Sequence, residues 1–341
     1  MTRPDGRRRG ASVRAAAGQG PAGAHRMPDP PRQRRFSAGI RLTAMIVSFA
    51  AAVATFLTLT VVRPHGQSDT LGTTPGSYLG VYVTGVPRSF QPVHSFVSAT
   101  KVKPNLLLYY SSWWEPFRTG FAVRADQHGA VPIVQINPLR VKLADIADGT
   151  YDRYINSFAK DIRRYGHPVI VGFGHEMNAQ WSPWGYRHAN PATFVAAWRH
   201  IVNQFRKDKV KNVTWLWTVN VVDPHAHSSD PRPWWPGDNY VTWVGIDGYY
   251  RRPSWKFAAL FGPTIKAVHM LTRAPILISE TGVAPSAGKA AKIPNLFAGV
   301  RAYGLLGLVW FDAIAHHDWR LDDEAAILAF RRAARQTPAT R

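Results

Sequence analysis

Cysteine is absent from all 341 residues, which excludes a disulfide framework and any thiol chemistry. The absence leaves the compartment open. Acidic residues are scarce, 21 Asp and Glu against 42 Lys and Arg, for a formal net charge of +21. A basic body can meet nucleic acid, anionic lipid or an acidic wall polymer, and general surface charge also keeps an exported protein soluble. No Gly-rich phosphate turn follows an early strand-like run, which argues against a doubly wound nucleotide-binding sheet. What the chain has instead is aromatic surface, with 13 Trp, 12 Tyr and 16 Phe.

Much of the charge sits at the N-terminus. Residues 1–41 hold ten Arg against Asp5 and Asp29, a net of +8, which leaves +13 for the remainder. This stretch is rich in Pro, Gly and Ala, lacks hydrophobic periodicity and is expected to be a disordered basic tail. Residues 42–62 carry no charge and are long enough to span a bilayer as one helix. The Arg-rich flank before them keeps the N-terminus cytoplasmic and sends the rest outside. The rival is a cleaved signal peptide and a secreted product. Val61-Val62-Arg63-Pro64 offers no small-x-small cleavage site, which favours a single-pass anchor in the cell membrane. Residues 63–77 read as a linker rich in Gly, Pro, Ser and Thr, and 336–341 as a short tail.

From Tyr78 the pattern changes. Strand-like runs are expected at 79–83, 106–111, 131–136, 169–173, 213–219, 241–246, 275–279 and 308–311. Helical stripes lie between them, such as Tyr151, Tyr154, Ile155, Phe158 and Ile162. Asn190-Pro191 has the chemistry of a helix start, followed by the apolar face Phe194, Val195, Trp198, Ile201, Val202 and Phe205. Residues 257–271 and 323–335 read as further helices. Strands separated by helical crossovers are parallel, and eight such units over 78–335 make an α/β fold of the (β/α)₈ TIM-barrel type. An open doubly wound sheet is the alternative.

In a barrel the chemistry sits at the C-terminal strand ends. The fourth run ends in Gly174-His175-Glu176-Met177-Asn178, followed by Trp181 and Pro183-Trp184. The sixth ends in Asp247-Gly248-Tyr249-Tyr250, the seventh in Ser279-Glu280-Thr281-Gly282, the eighth in Trp310-Phe311-Asp312. Two Glu residues at one mouth meet the requirement for glycoside hydrolysis, where one stays protonated and the other ionised. A gap of about 5–5.5 Å between their carboxyls makes the second a nucleophile and retains the anomer. Trp rings beside them offer flat faces to sugars.

These residues, taken in order, resemble glycoside hydrolase family 26, a (β/α)₈ family of clan A. Its members are mainly endo-β-1,4-mannanases, with mixed-linkage β-glucanases and β-1,3-xylanases among them. The carrying set is Gly174-His175-Glu176-Met177-Asn178, Trp181, Pro183-Trp184-Gly185, Gly245-Ile246-Asp247-Gly248-Tyr249 and Ser279-Glu280-Thr281-Gly282. The resemblance implies that Glu176 is the general acid/base and Glu280 the nucleophile. It implies that His175 and Trp181 line the subsite of the sugar to be cleaved, that Tyr249 bonds Glu280, and that Trp310 floors that subsite. Trp113 and Asn178 are further expected sugar contacts. Tyr249 and Tyr250 compete as the partner of Glu280, because one register slip exchanges their faces. Glu115 reads as a distal sugar contact or a salt-bridged loop residue, and Asp247 and Asp312 as loop-holding hydrogen-bond acceptors. Trp234-Trp235-Pro236 reads as groove lining. The clusters Asp223-Pro224-His225-Ala226-His227 and His316-His317-Asp318 have spacing that zinc can use, but glycoside hydrolysis needs no metal, and no cofactor is expected.

The expectation is a membrane-anchored, monomeric, retaining endo-β-glycosidase with its barrel outside the cell. Its partner is a β-linked polysaccharide, β-1,4-mannan first and mixed-linkage β-glucan second. The rival of another class is a non-catalytic surface protein that binds or assembles polysaccharide. The folded part holds no recognised nucleic-acid motif.

Overall fold

The computed structural model describes residues 71–222 and 228–336. The expected tail at 1–41, the expected span at 42–62, most of the linker and the His225–His227 pair lie outside the described residues. Among the described residues no helix is long and apolar enough to cross a membrane.

Eight strands close into one parallel barrel in sequence order: β1 (Tyr78–Val83), β2 (Leu106–Ser112), β3 (Val131–Asn137), β4 (Val169–Phe173), β5 (Val213–Asn220), β6 (Trp243–Tyr250), β7 (Ile276–Val283) and β8 (Gly307–Asp312). Closure is made by β1 on β8, in register from Tyr78↔Gly307 to Val83↔Asp312. The open-sheet alternative is thereby excluded. The outer ring is α1 (Gln91–Thr100), α2 (Thr119–Gln127), α3 (Leu143–Ala147), α4 (Asp152–Tyr165), α5 (Pro191–Lys207), α6 (Phe257–His269), α7 (Lys289–Ala302) and α8 (Glu324–Ala334). The start of α5 is the one the sequence announces. Asn190 Oδ1 accepts from Ala192 N at 2.8 Å with Pro191 in the first turn, a cap worth about 1 kcal/mol.

Side chains alternate along each strand between the barrel interior and the helix layer. Leu106, Leu108, Ile133, Ile170, Leu216, Trp243, Leu277 and Val309 fill the interior, while their neighbours Leu107, Val171, Trp217, Val244, Ile278 and Trp310 join the larger outer core. Truncating one such interior Leu to Ala typically costs 2–5 kcal/mol, because the barrel cannot collapse around the void.

The expectation of eight strand–helix units fails at one place. Between β5 and β6 the described residues contain only two short 3₁₀ turns, Arg232–Trp234 and Asp238–Tyr240. Aromatic rings take the helix's place. Trp234 is buried edge-on against Phe194 with ring centroids 5.6 Å apart, and Trp235 packs edge-on at 5.0 Å against Trp217. Arg199 Nε, on α5, donates to Pro236 O at 2.8 Å. The expected groove lining at Trp234-Trp235-Pro236 is therefore a plug over the outer face of the barrel.

Candidate active site

Counting along the alternation puts one inward-facing side chain of each strand end at the mouth. They are Tyr82 from β1, Tyr110 from β2, Asn137 from β3, Asn220 from β5, Tyr249 from β6 and Phe311 from β8; Glu280 of β7 joins them against the alternation, with His175 and Glu176 just past β4. Two departures from regular strand geometry aim the carboxylates. Pairing of β7 with β8 shifts register between Ile278 and Thr281, so that consecutive residues Ser279 and Glu280 both bond to interior groups. Such irregularities re-aim side chains beside active sites. After β4, Gly174 and Glu176 take left-handed φ angles of 54° and 55°. For Glu that backbone is strained, and strain of this kind persists where the surroundings enforce it.

Glu280 is 5% exposed. Its Oε1 accepts from Tyr110 OH at 2.5 Å and its Oε2 from Tyr249 OH at 2.8 Å. Glu176 is 8% exposed. Its Oε1 accepts from Asn220 Nδ2 at 2.7 Å and its Oε2 from the indole Nε1 of Trp181 at 2.6 Å. All four carboxylate oxygens are thus oriented before any ligand arrives. Burial pushes both acids above the ordinary carboxylate range. Glu280 is pushed up to about 8, by burial first and the charge of Glu176 second, against the two tyrosine hydrogen bonds. Like charges in one dry site cannot both ionise cheaply, so the pair holds one proton near neutrality. Two O–H donors, one of them short, favour the ionised form on Glu280. The indole on Glu176 belongs to Trp181, a half-exposed ring.

His175 Nδ1 lies 3.0 Å from Asn137 Oδ1, and Trp184 Nε1 donates to the His175 carbonyl at 2.8 Å. Burial pushes the imidazole down to about 4, so it is neutral at pH 7. With Nδ1–H donating to Asn137 Oδ1, Nε2 is left as a free acceptor facing the mouth. Beneath the pair sits Asp247, fully buried and pushed well above the usual carboxylate range by burial and by the charges of Glu280 and Glu176. Its Oδ1 accepts from Ser279 Oγ at 2.6 Å, while Oδ2 has no partner among the described residues.

Five of the expected site residues meet at this mouth: Glu176, Glu280, His175, Trp181 and Tyr249. The choice between the tyrosines is resolved, since Tyr250 faces outward and its hydroxyl reaches Asn295. Three others do not serve as expected. Trp310 is fully buried, its ring edge-on to Phe330 of α8 at 5.6 Å and its Nε1 bonded to Trp319 O. Its position faces outward, and the next residue, Phe311, takes the mouth, stacked on Tyr82 at 4.7 Å. Trp113 is likewise buried against Tyr154 and Phe173, and the ring exposed beside it is Trp114. Asn178 is fully buried; it ties the end of β5 to the loop beyond through Asn220 N, Asn220 O and Ser229 O. Glu115 pairs with Arg118 at 3.3 Å, and Asp312 accepts from Leu321 N at 2.7 Å. His316 and His317 are exposed, and Asp318 is bound by Arg320 at 2.6 Å.

Comparison with known proteins places the fold and much of the sequence among glycoside hydrolases. Residues 139–293 match the family described as Glycosyl hydrolase family 26. Over that stretch the chain resembles the family. It is 28% identical over 296 residues to Endoglucanase H of Acetivibrio thermocellus, an alignment covering 82% of this chain and 33% of the relative. The chain therefore spans about a third of that relative's length. A mannan endo-1,4-beta-mannosidase A and B of Caldalkalibacillus mannanilyticus is 30% identical over 100 residues, 27% of this chain and 18% of the relative. Among solved structures, a GH26 beta-mannanase from Bacteroides ovatus shares the fold with a TM-score of 0.57 at 15% identity, covering 78% of this chain and 90% of the other. The YdhT protein from Bacillus subtilis does so with a TM-score of 0.59 at 15% identity, over 75% and 85%.

Among the members of the site that went unread in the sequence are Tyr110 and Asn220, which hold the two carboxylates. A signal existed for both. Each sits at an even offset from an interior residue of its own strand, Tyr110 from Leu106 and Leu108, Asn220 from Leu216 and Thr218.

Proposed function

We propose that this glycosyl hydrolase is a retaining endo-β-glycosidase. One observation carries the reading: two buried carboxyls at one barrel mouth, each raised by burial and one by the other's charge, with two phenol donors fixed on Glu280. The Glu280 carboxylate attacks the anomeric carbon as the bond to the leaving oxygen breaks and Glu176 gives that oxygen its proton. Glu176 then takes a proton from water, water attacks the same carbon, and Glu280 is released as carboxylate. Tyr110 and Tyr249 hold both Glu280 oxygens, so the attacking atom is placed before the sugar binds. Neutral His175 contacts the ring hydroxyls, and Trp181 releases Glu176 Oε2 when sugar displaces its indole.

For the backbone, the relative that aligns over 82% of the chain is named an endoglucanase and the mannosidase aligns over 27%. This support ranks a β-glucan ahead of β-mannan, the reverse of the order the sequence suggested. The barrel works outside the cytoplasm, anchored by residues 42–62; the arginines before that run support the orientation. The test is reducing-end release from β-glucan, β-mannan, xylan and cellulose, with Glu280→Ala as the control. The variant is expected to lose about 10⁴–10⁶ in rate, as removal of a covalent nucleophile does. Near-normal turnover by it rejects the assignment. Polymer binding without any cleavage by the native chain favours the non-catalytic reading.

A further inference from the structure

The charge on the rim of the mouth is uneven, and it is uneven about the catalytic pair. Strands β3 to β6 are neighbours in the barrel, so the loops that follow them form one arc, the arc that also carries Glu176. On it stand Arg140 and Lys142 after β3, Arg187 after β4, and Arg251, Arg252 and Lys256 after β6, all exposed. None of the six pairs with a carboxylate among the described residues. Nearby acids are already engaged, Asp148 by Thr150 and Asp230 by Arg232. Arginines on the helix layer act otherwise: Arg199 and Arg331 donate to the carbonyls of Pro236 and Thr100 and brace the fold. Across the mouth, after β8, Arg320 is neutralised by Asp318.

Backbone conformation adds a second observation. Arg140 and Arg187 hold left-handed φ angles of 61° and 70°, where Gly is at ease and a side chain is strained. The charge also reaches the chemistry, since Arg251 acts electrostatically on Glu176. A cleft with low-dielectric walls lined by one sign of charge concentrates ligands of the other sign, and guanidinium forks fit carboxylate and phosphate oxygens.

We propose that the β-glycan cut here carries anionic groups, carboxylate or phosphate, and that this cationic arc holds them beside the scissile bond. The proposal rests on the glycosidase reading for the identity of the polymer. Its test uses the full chain made inactive by Glu280→Ala, with affinity electrophoresis against one β-glucan in neutral, carboxymethylated and phosphorylated forms. The acidic forms are expected to bind about tenfold or more tighter at low salt, with the preference shrinking as salt rises. Which acidic form gains more names the substituent. Two variants locate the effect. Arg140→Gly/Arg187→Gly removes strained residues and so preserves the fold; Arg251→Gln/Arg252→Gln/Lys256→Gln removes the third loop's charge. Each is expected to bring the acidic-to-neutral ratio down several-fold. Equal binding of all forms, or a preference that both variants retain, overturns the proposal. Binding to anionic lipid vesicles that the variants abolish, with no preference among glycans, overturns it in favour of a membrane surface. The two readings fail separately: neutral glucan cleaved without acidic preference sinks only the cationic arc, and acidic glycan bound but never cleaved sinks only the glycosidase.

Discussion

Tyr110 and Tyr249 divide the two oxygens of Glu280 between them, and their value lies in which protonation state they prefer. A phenol O–H bonds more strongly to a carboxylate than to a carboxylic acid, so both lower the affinity of Glu280 for a proton against the larger effect of burial. Hydrogen bonds to charged groups are worth about 1.5–3 kcal/mol. Tyr110→Phe is therefore expected to lower kcat/KM roughly 10- to 100-fold and to move the alkaline limb of the pH–rate profile upward, because the pair then holds its proton more firmly. Tyr249→Phe is expected to do the same. A loss of rate with an unmoved profile would leave the phenols as packing groups only. The residue scale is also where the sequence was least legible. The aromatic expected at the end of β8 was off by one position, and Phe311 rather than Trp310 reaches the mouth. Alternation is strict, so one residue decides between core and site. On β6 the same rule favours Tyr249, two steps from Asp247. On β7 it fails, since the register shift turns Glu280 inward next to an inward Ser279. No propensity announces such a shift.

Elements were easier to read than faces. The apolar run at 169–173 coincides with β4 (Val169–Phe173), and the Asn-Pro pair marks the start of α5. Long periodic stretches carry their own signal because each buries a continuous stripe. The connection from β5 to β6 carried none, since a cluster of Trp covers the strands where a helix was expected. That irregular stretch relies on few anchors, and Asn178 is one of them. Its Oδ1 accepts from Asn220 N, and its Nδ2 donates to Asn220 O and Ser229 O. Asn178→Ala strands several buried polar groups at once, at about 1–3 kcal/mol each when no water enters. The expected result is a fall in melting temperature of several degrees, with a loss of rate, because Asn220 no longer holds Glu176 Oε1 in place. Melting measured with and without a bound oligosaccharide checks this. Recovery of both stability and rate when ligand saturates the site would show the brace acting on the loop alone.

At the scale of the whole molecule the barrel concentrates unfavourable groups at one end. Glu176, Glu280 and Asp247 are all buried, and burial is the first cause of each one's raised proton affinity. Unfolded carboxyls lose their protons near pH 4. The folded chain keeps protons that the unfolded chain has already released, so stability falls as pH rises through the interval from about 4 up to the folded value, which for Glu280 is about 8. Below that interval both states are protonated and the full stability is present. The melting temperature is therefore expected to be highest in mild acid and to decline toward pH 8, with Glu280→Gln flattening the decline because one ionisable group is gone. At about 2–4 °C per kcal/mol for a domain of this size, a difference of several degrees between variant and native chain is expected at pH 8 and little at pH 4. Catalysis follows the same proton. Activity needs one proton on the pair, so kcat/KM is expected to fall on the alkaline side, where the last one leaves, and on the acid side, where a second binds. A melting temperature that does not respond to pH between 4 and 8 would mean that the carboxyls are solvated in the folded chain, and the dry, preorganised mouth would have to be abandoned with it.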